Sequence, residues 1–345
     1  MPCPGLCYFY FHFSYIKRHH LSALPLLISG HEVSWLLGRK MDKITQLTDL
    51  IKNFGFADCA AGNLGYDRVL LQLFGFLGHG KSSFINTCKY VLEDGEYHNY
   101  TNSKMSQGAD TKARITYPLT ETMTLVDNRG CSVMNEYETA ELYAQLANLL
   151  PLDKGVEWNR GFGLADRLVE AESVVKSSDF IYPIFIFSVN QRLTHQEMTV
   201  IKELLEKARD LTEIFPTVVL THKTKGDLRD MKAMFENMGV ERIFALENFT
   251  PEDHIKTRGR HEDVLEIFSE IIKDIKFHME RAKDPPEQKR IERKKHLLNM
   301  IHEREMKKKE EEIERQRMKE KKLQEEMEDL QRKPVQKDPG GCLIT

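Results

Sequence analysis

The chain predicts an α/β fold, a mainly parallel sheet with helices on both faces, followed by a long charged C-terminal helix. Three observations carry this. Short, near-continuous apolar runs alternate with stretches of helical periodicity, the first run leads into a glycine-rich turn, and the last part of the chain turns to dense mixed charge. A length of 345 residues suits one large domain with appendages, or two domains. Charge nearly balances, with 50 basic and 53 acidic side chains for a net −3, so nucleic acid is not an expected partner. The six cysteines, Cys3, Cys7, Cys59, Cys88, Cys131 and Cys342, show no paired spacing. That argues against a disulfide framework or a CxxC zinc site, and it fits a reducing, cytoplasmic setting.

In chain order, residues 1–40 hold two apolar runs, 7–16 and 21–28, both shorter than the roughly 18–20 residues a bilayer span needs. Residues 1–4 ahead of the first run carry no side-chain charge, and the basic cluster Lys17-Arg18-His19-His20 stands only between the two runs, so this segment is expected to be a disordered extension, or an upstream reading before a start at Met41, rather than a targeting element. Over 41–66, Ile44, Leu47, Leu50, Ile51 and Phe54 recur at helical spacing, giving an amphipathic helix and a linker. The domain of 67–284 opens with the run 68–76, a buried parallel strand, and the helix 81–92 behind it. Further strand-like runs lie at 123–126, 180–188, 217–221 and 242–247, with helical patterns at 136–149, 164–175, 194–211, 228–237 and 262–277 between or after them. Pro285 and Pro286 end the last of these. Residues 285–333 then read as one solvated charged helix or a weak coiled coil. Glu303/Lys307, Glu305/Lys309 and Glu311/Arg315 stand at i,i+4, while Met306, Ile313, Leu323, Met327 and Leu330 make a partial heptad.

The end of the first strand carries the sharpest chemical signal. Gly75, Phe76, Leu77, Gly78, His79, Gly80, Lys81 and Ser82 satisfy G-x-x-x-x-G-K-[ST] between an apolar strand and a helix, the context of a P-loop NTPase. Glycines allow the backbone to wrap an anion, so that successive N–H groups and the helix N-terminus face phosphates. Lys81 would reach the β- and γ-phosphates, and the Ser82 hydroxyl, with Ser83 beside it, would serve Mg²⁺ and phosphate. Asp127, Asn128, Arg129 and Gly130 form D-x-x-G one strand later. Asp127 can hold Mg²⁺ through a water, and the Gly130 N–H can swing toward a γ-phosphate. Thr224, Lys225, Gly226 and Asp227 give T-K-x-D after the 217–221 strand. The Asp227 carboxylate could accept from the N1–H and 2-amino group of guanine, a donor pair adenine lacks, with the Lys225 stem along the base. The competing reading makes Asp227 a plain helix cap. No HxxxH or HExxH occurs, so a histidine-held metal is not expected.

These three motifs resemble the first, third and fourth signatures of the small-GTPase-like superfamily. The wording from Gly80 to Asn86 and from Phe244 to Phe249 is similar to vertebrate immunity GTPases, the interferon-induced protein-forty-four-like group and, less closely, the GTPases of immunity-associated proteins. The likeness spans roughly 68–278. It implies a G domain, GTP or GDP with Mg²⁺ as ligands, and Thr111 as the switch threonine at the metal, with Thr116 its rival. It also implies Asn248, beside Ala245 and Leu246, as part of the loop flanking guanine. Cys131 stands where related GTPases carry a water-orienting glutamine, which implies slow hydrolysis by a lone chain or help from a partner. The interval between Gly130 and the 180–188 strand, with Trp158, Arg160 and Phe162, is longer than one helix needs, and is either a dimer surface or a flap over the core.

The chain ends Cys342-Leu343-Ile344-Thr345, a C-a-a-X pattern behind Pro339, Gly340 and Gly341. Prenylation of Cys342, with Arg332, Lys333 and Lys337 as a second, basic signal, would attach 334–345 reversibly to membranes. The resulting expectation is a GTP-binding protein and GTPase that self-associates through its G domain or C-terminal helix and touches membranes peripherally. The alternative is a nucleotide-binding scaffold with negligible hydrolysis that acts through its C-terminal helix.

Overall fold

The structure, a computed structural model, describes residues 43–93, 95–101, 113–132, 136–156 and 163–332. The chain divides into two units, Met1–Gln46 and Leu47–Thr345. In the first only 43–46 are described, as helix. The second opens with helix α1 (47–53) and a 3-10 turn at Phe56–Asp58, whose Phe56 ring meets Tyr66 and Phe180.

Seven strands then build one sheet in the order β4-β2-β3-β1-β5-β6-β7. They are β1 (Arg68–Phe74), β2 (Ala113–Pro118), β3 (Met123–Asp127), β4 (Lys154–Gly155), β5 (Asp179–Ser188), β6 (Thr217–Thr221) and β7 (Ile243–Ala245). β3, β1, β5, β6 and β7 run parallel, and β2 is antiparallel to both β3 and β4. The central strands are apolar throughout because helices cover both of their faces; β1 has six buried residues of seven, and β5 is buried along its whole length. The alternating α/β reading with a mainly parallel sheet is thus observed. β2 escaped it, since Ala-Arg-Ile-Thr-Tyr-Pro has neither a continuous apolar run nor a clean alternation.

The helices are α2 (Lys81–Glu93), α3 (Glu136–Leu146), α4 (Gly163–Glu170), α5 (His195–Thr212), α6 (Leu228–Asn237), α7 (Arg258–Arg281) and α8 (Pro286–Arg332). On one face α2 packs with α7, and Tyr182 of β5 donates its hydroxyl to Asp274 of α7 at 2.9 Å. On the other, α3, α4, α5 and α6 close over Phe74, Phe185, Phe187 and Leu220. Thr194 starts α5 with a capping box, its hydroxyl accepting from the Glu197 N–H while Glu197 accepts from the Thr194 N–H.

One element departs from its expectation. α8 is a single 47-residue helix, but it is not solvated from its start. Leu297, Met300 and Ile301 are buried in the second core, against α3, α4 and α5. The Arg293 Nε donates to the Ala147 carbonyl at 3.1 Å, and Lys294 pairs with Glu172 at 2.7 Å. Three apolar residues on one stripe bury enough surface to hold a few turns, whatever the charge around them. From 309 to 329 every side chain is exposed, including Ile313, Leu323 and Met327.

Candidate functional site

The site lies at the carboxyl ends of β1 and β3, where open α/β sheets bind their ligands. β1 stops at Phe74 and the chain turns through Gly75 with φ 136°, a conformation side chains rarely adopt. A Cβ there would stand 2.5 Å from the Ile186 carbonyl oxygen, so only glycine fits between β1 and β5. The loop passes its exposed tip at Gly78 and enters α2 at Lys81.

Lys81 is buried, and its Nζ donates to the carbonyls of Phe76 (2.9 Å) and Gly75 (3.4 Å). Burial draws its pKa down, with Asp127 opposing. The Ser82 hydroxyl donates to Asp127 Oδ2 at 2.8 Å; Asp127 Oδ1 is buried with no hydrogen-bond partner. Burial holds the Asp127 carboxyl above the usual range, against the pull of Lys81 and Ser82. Gly130 closes on the same place: a Cβ on it would sit 2.6 Å from Lys81 Nζ. Lysine, serine, buried aspartate and a bare backbone therefore converge, and of these polar groups the Asp127 Oδ1 is left without a hydrogen-bond partner.

His79 anchors the glycine loop from below. Its Nδ1 accepts from the Ser188 N–H at 3.3 Å, and its ring lies edge-on to Phe187 and against Phe76. Burial first, then Lys81 and His222, push its pKa down to about 4, so the ring is neutral. The tautomer with hydrogen on Nε2 follows from that bond. From β6, the Thr221 hydroxyl donates to the His79 carbonyl at 2.9 Å. Asn248 is buried on the same side: its Oδ1 accepts from Thr87, and its Nδ2 has no partner. The position that a Gly80 Cβ would fill is 3.1 Å from that Nδ2.

Thr224, Lys225 and Asp227 lie in an exposed turn after β6. Thr224 donates through its N–H and hydroxyl to Glu247, at 3.2 and 2.8 Å. Asp227 Oδ1 accepts from the N–H groups of Arg229 and Asp230 and so caps α6. The contact from β6 to the glycine loop is made by Thr221, with His222, at φ 56°, turning the chain away behind it. Thr116 is inside β2, its hydroxyl bonded to Asp153. Thr111 and Cys342 lie outside the described residues, as do 1–42, Trp158, Arg160, Phe162, Lys333 and Lys337.

Two contacts escaped the sequence. Thr101 is buried, takes Asn86 Oδ1 on its N–H and donates its hydroxyl to the Ser82 carbonyl at 3.2 Å. Thr221 is the other, and nothing local in either stretch signals a partner so far along the chain. The Cys131 thiol is turned into the core beside Leu142, fully buried, and burial together with Glu138 raises its pKa to about 12. It is neither a surface group at the loop nor a reactive thiol.

No protein-family profile matches the chain, and no curated protein matches it. Among solved structures, two mutation variants of SsGBP share 13% and 14% identity, with TM-scores of 0.30 and 0.29. The matches cover 75% and 79% of this chain and 85% of each of those chains. A superposition that loose says nothing of what this chain binds. No described helix is long and apolar enough to cross a membrane.

Proposed function

We propose that this chain is a P-loop GTP-binding protein whose nucleotide state governs self-association and reversible membrane attachment. The observation that carries the reading is the convergence of Lys81, Ser82, the orphaned Asp127 oxygen and the bare Gly130 backbone on one point at the end of β1. An ammonium folded back on carbonyls can turn to a phosphate at little cost, and the loop N–H groups add donors. Among the described residues no three His, Cys, Asp or Glu side chains gather for a metal. A Mg²⁺ ion would therefore need phosphate oxygens besides Ser82 and Asp127, as nucleotide-borne Mg²⁺ does. With a bound triphosphate, that ion would neutralise charge between the β- and γ-phosphates. Asn248, with its unpartnered Nδ2 next to Gly80, suits the purine side.

Guanine choice rests on Asp227, whose Oδ2 is not used in the α6 cap. Titration with GTP, GDP, ATP and xanthosine triphosphate tests this. Asp227→Asn is expected to weaken GTP at least about tenfold and to favour the xanthine nucleotide, because a reversed donor pattern leaves polar edges unpaired. Unchanged base preference would make Asp227 a cap only. Lys81→Ala should abolish triphosphate binding for every base.

A second reading, a nucleotide-holding scaffold that hardly hydrolyses, gains from the buried Cys131 thiol, which offers no group to orient water. Membrane attachment through a prenylated Cys342 belongs to the first reading, and mass spectrometry of the C-terminal peptide from eukaryotic cells would test it.

A further inference from the structure

We infer that the C-terminal end of α3 is a junction coupling the 127–130 loop to helix α8, so that a triphosphate at the loop changes how firmly α8 is docked. The inference rests on the GTP reading. Three parts of the chain meet within four residues there. The Arg129 N–H donates to Gln145 Oε1 at 2.9 Å, which ties the loop to the last turn of α3. The Arg293 Nε of α8 donates to the Ala147 carbonyl. Asn148, in a left-handed conformation at φ 52°, donates to Asp179 at the start of β5.

A second strand of the same network runs through β2. Arg114 is fully buried; its Nε donates to Asn128 Oδ1 at 2.9 Å, and its two terminal nitrogens donate to Asn148 Oδ1 and to the Leu150 carbonyl. Asn128 in turn donates to Gln72 Oε1 and the Leu73 carbonyl. Every hydrogen-bonding side chain between loop and junction, Asn128, Arg114, Gln145 and Asn148, is buried. Among the bonds of Arg114, Asn128 and Asn148, all buried, water has little access to replace a broken one, so these side chains hold together or rearrange together. If Gly130 swings toward a γ-phosphate, the pull on Arg129 and Asn128 acts on residues 145–148, whose backbone holds Arg293. Such a shared, two-state element is the physical basis of coupling between distant sites.

Hydrogen exchange of the 293–301 amides should be measured on the full chain without nucleotide, with GDP, and with a non-hydrolysable GTP analogue. In the wild type we expect the GDP and triphosphate states to differ by roughly fivefold or more in those exchange rates. The difference should fall below about twofold in Gln145→Ala and in Arg293→Met. Lys294→Ala, which cuts an ion pair of the same helix off this path, should keep it. By reciprocity, Arg293→Met should also change the ratio of triphosphate to diphosphate affinity by a similar factor. If Gln145→Ala does not fold, Arg293→Met on the partly exposed α8 face carries the test. Equal exchange in both wild-type states, or a difference that survives both substitutions, overturns the coupling. Binding of GTP with an indifferent α8 sinks the coupling alone, whereas no uptake of any triphosphate sinks the GTP reading with it.

Discussion

His79 packs under the glycine loop, and the fold keeps its ring uncharged. The unfolded chain takes up a proton on this ring near pH 6.5, the folded one only near pH 4. Between those values the unfolded state binds more protons. Stability from the neutral ring is therefore whole above pH 6.5 and is lost as pH falls toward 4, up to about 3 kcal/mol. Urea unfolding at pH 7, 5.5 and 4.5 should show that acid loss in the wild type and a flatter limb in His79→Leu. Equal slopes would mean that the ring already charges in the fold. His222 also shifts down, mainly by burial, and its contribution is common to both proteins.

Helix α8 divides into a docked part and a bare part, and single substitutions should report the division. Leu297→Ala is expected to cost about 2–5 kcal/mol, because it empties a fully buried position. Met327→Ala, more than half exposed, should stay within about 0.5 kcal/mol. Comparable losses would mean that the outer part is held by something too. This division was not legible in the sequence: the pairs at i,i+4 announce the helix, but Leu297, Met300 and Ile301 are sparse among charges, and only the facing α3 to α5 surface gives them a partner. β2 was hidden for a related reason, since its arginine is buried by polar acceptors that arrive from Asn128 and Asn148. The glycine loop, by contrast, was plain, because its chemistry is set by residues adjacent in the chain. The hydroxyl that braces it comes from Thr221, 142 residues away, and no local pattern encodes such a distance.

At the scale of the molecule, the proposed GTPase would tie turnover to assembly through the residue next to Gly130. With the Cys131 thiol in the core, a lone chain should turn over GTP slowly, on the order of an unassisted GTPase at 10⁻⁴–10⁻³ s⁻¹. Phosphate release measured over about a hundredfold range of protein concentration should give a rate per chain that rises with concentration if a second copy completes the site. A flat, near-zero rate favours the scaffold. The outer part of α8, from Lys309 to Arg332, has a further consequence. Roughly 24 residues at about 1.5 Å each make a rod of about 36 Å. Anything fastened at its far end is four to five screening lengths from the globular body at physiological salt. Were a charged surface fastened there, the body would be blind to that charge, and free to choose neighbours by shape.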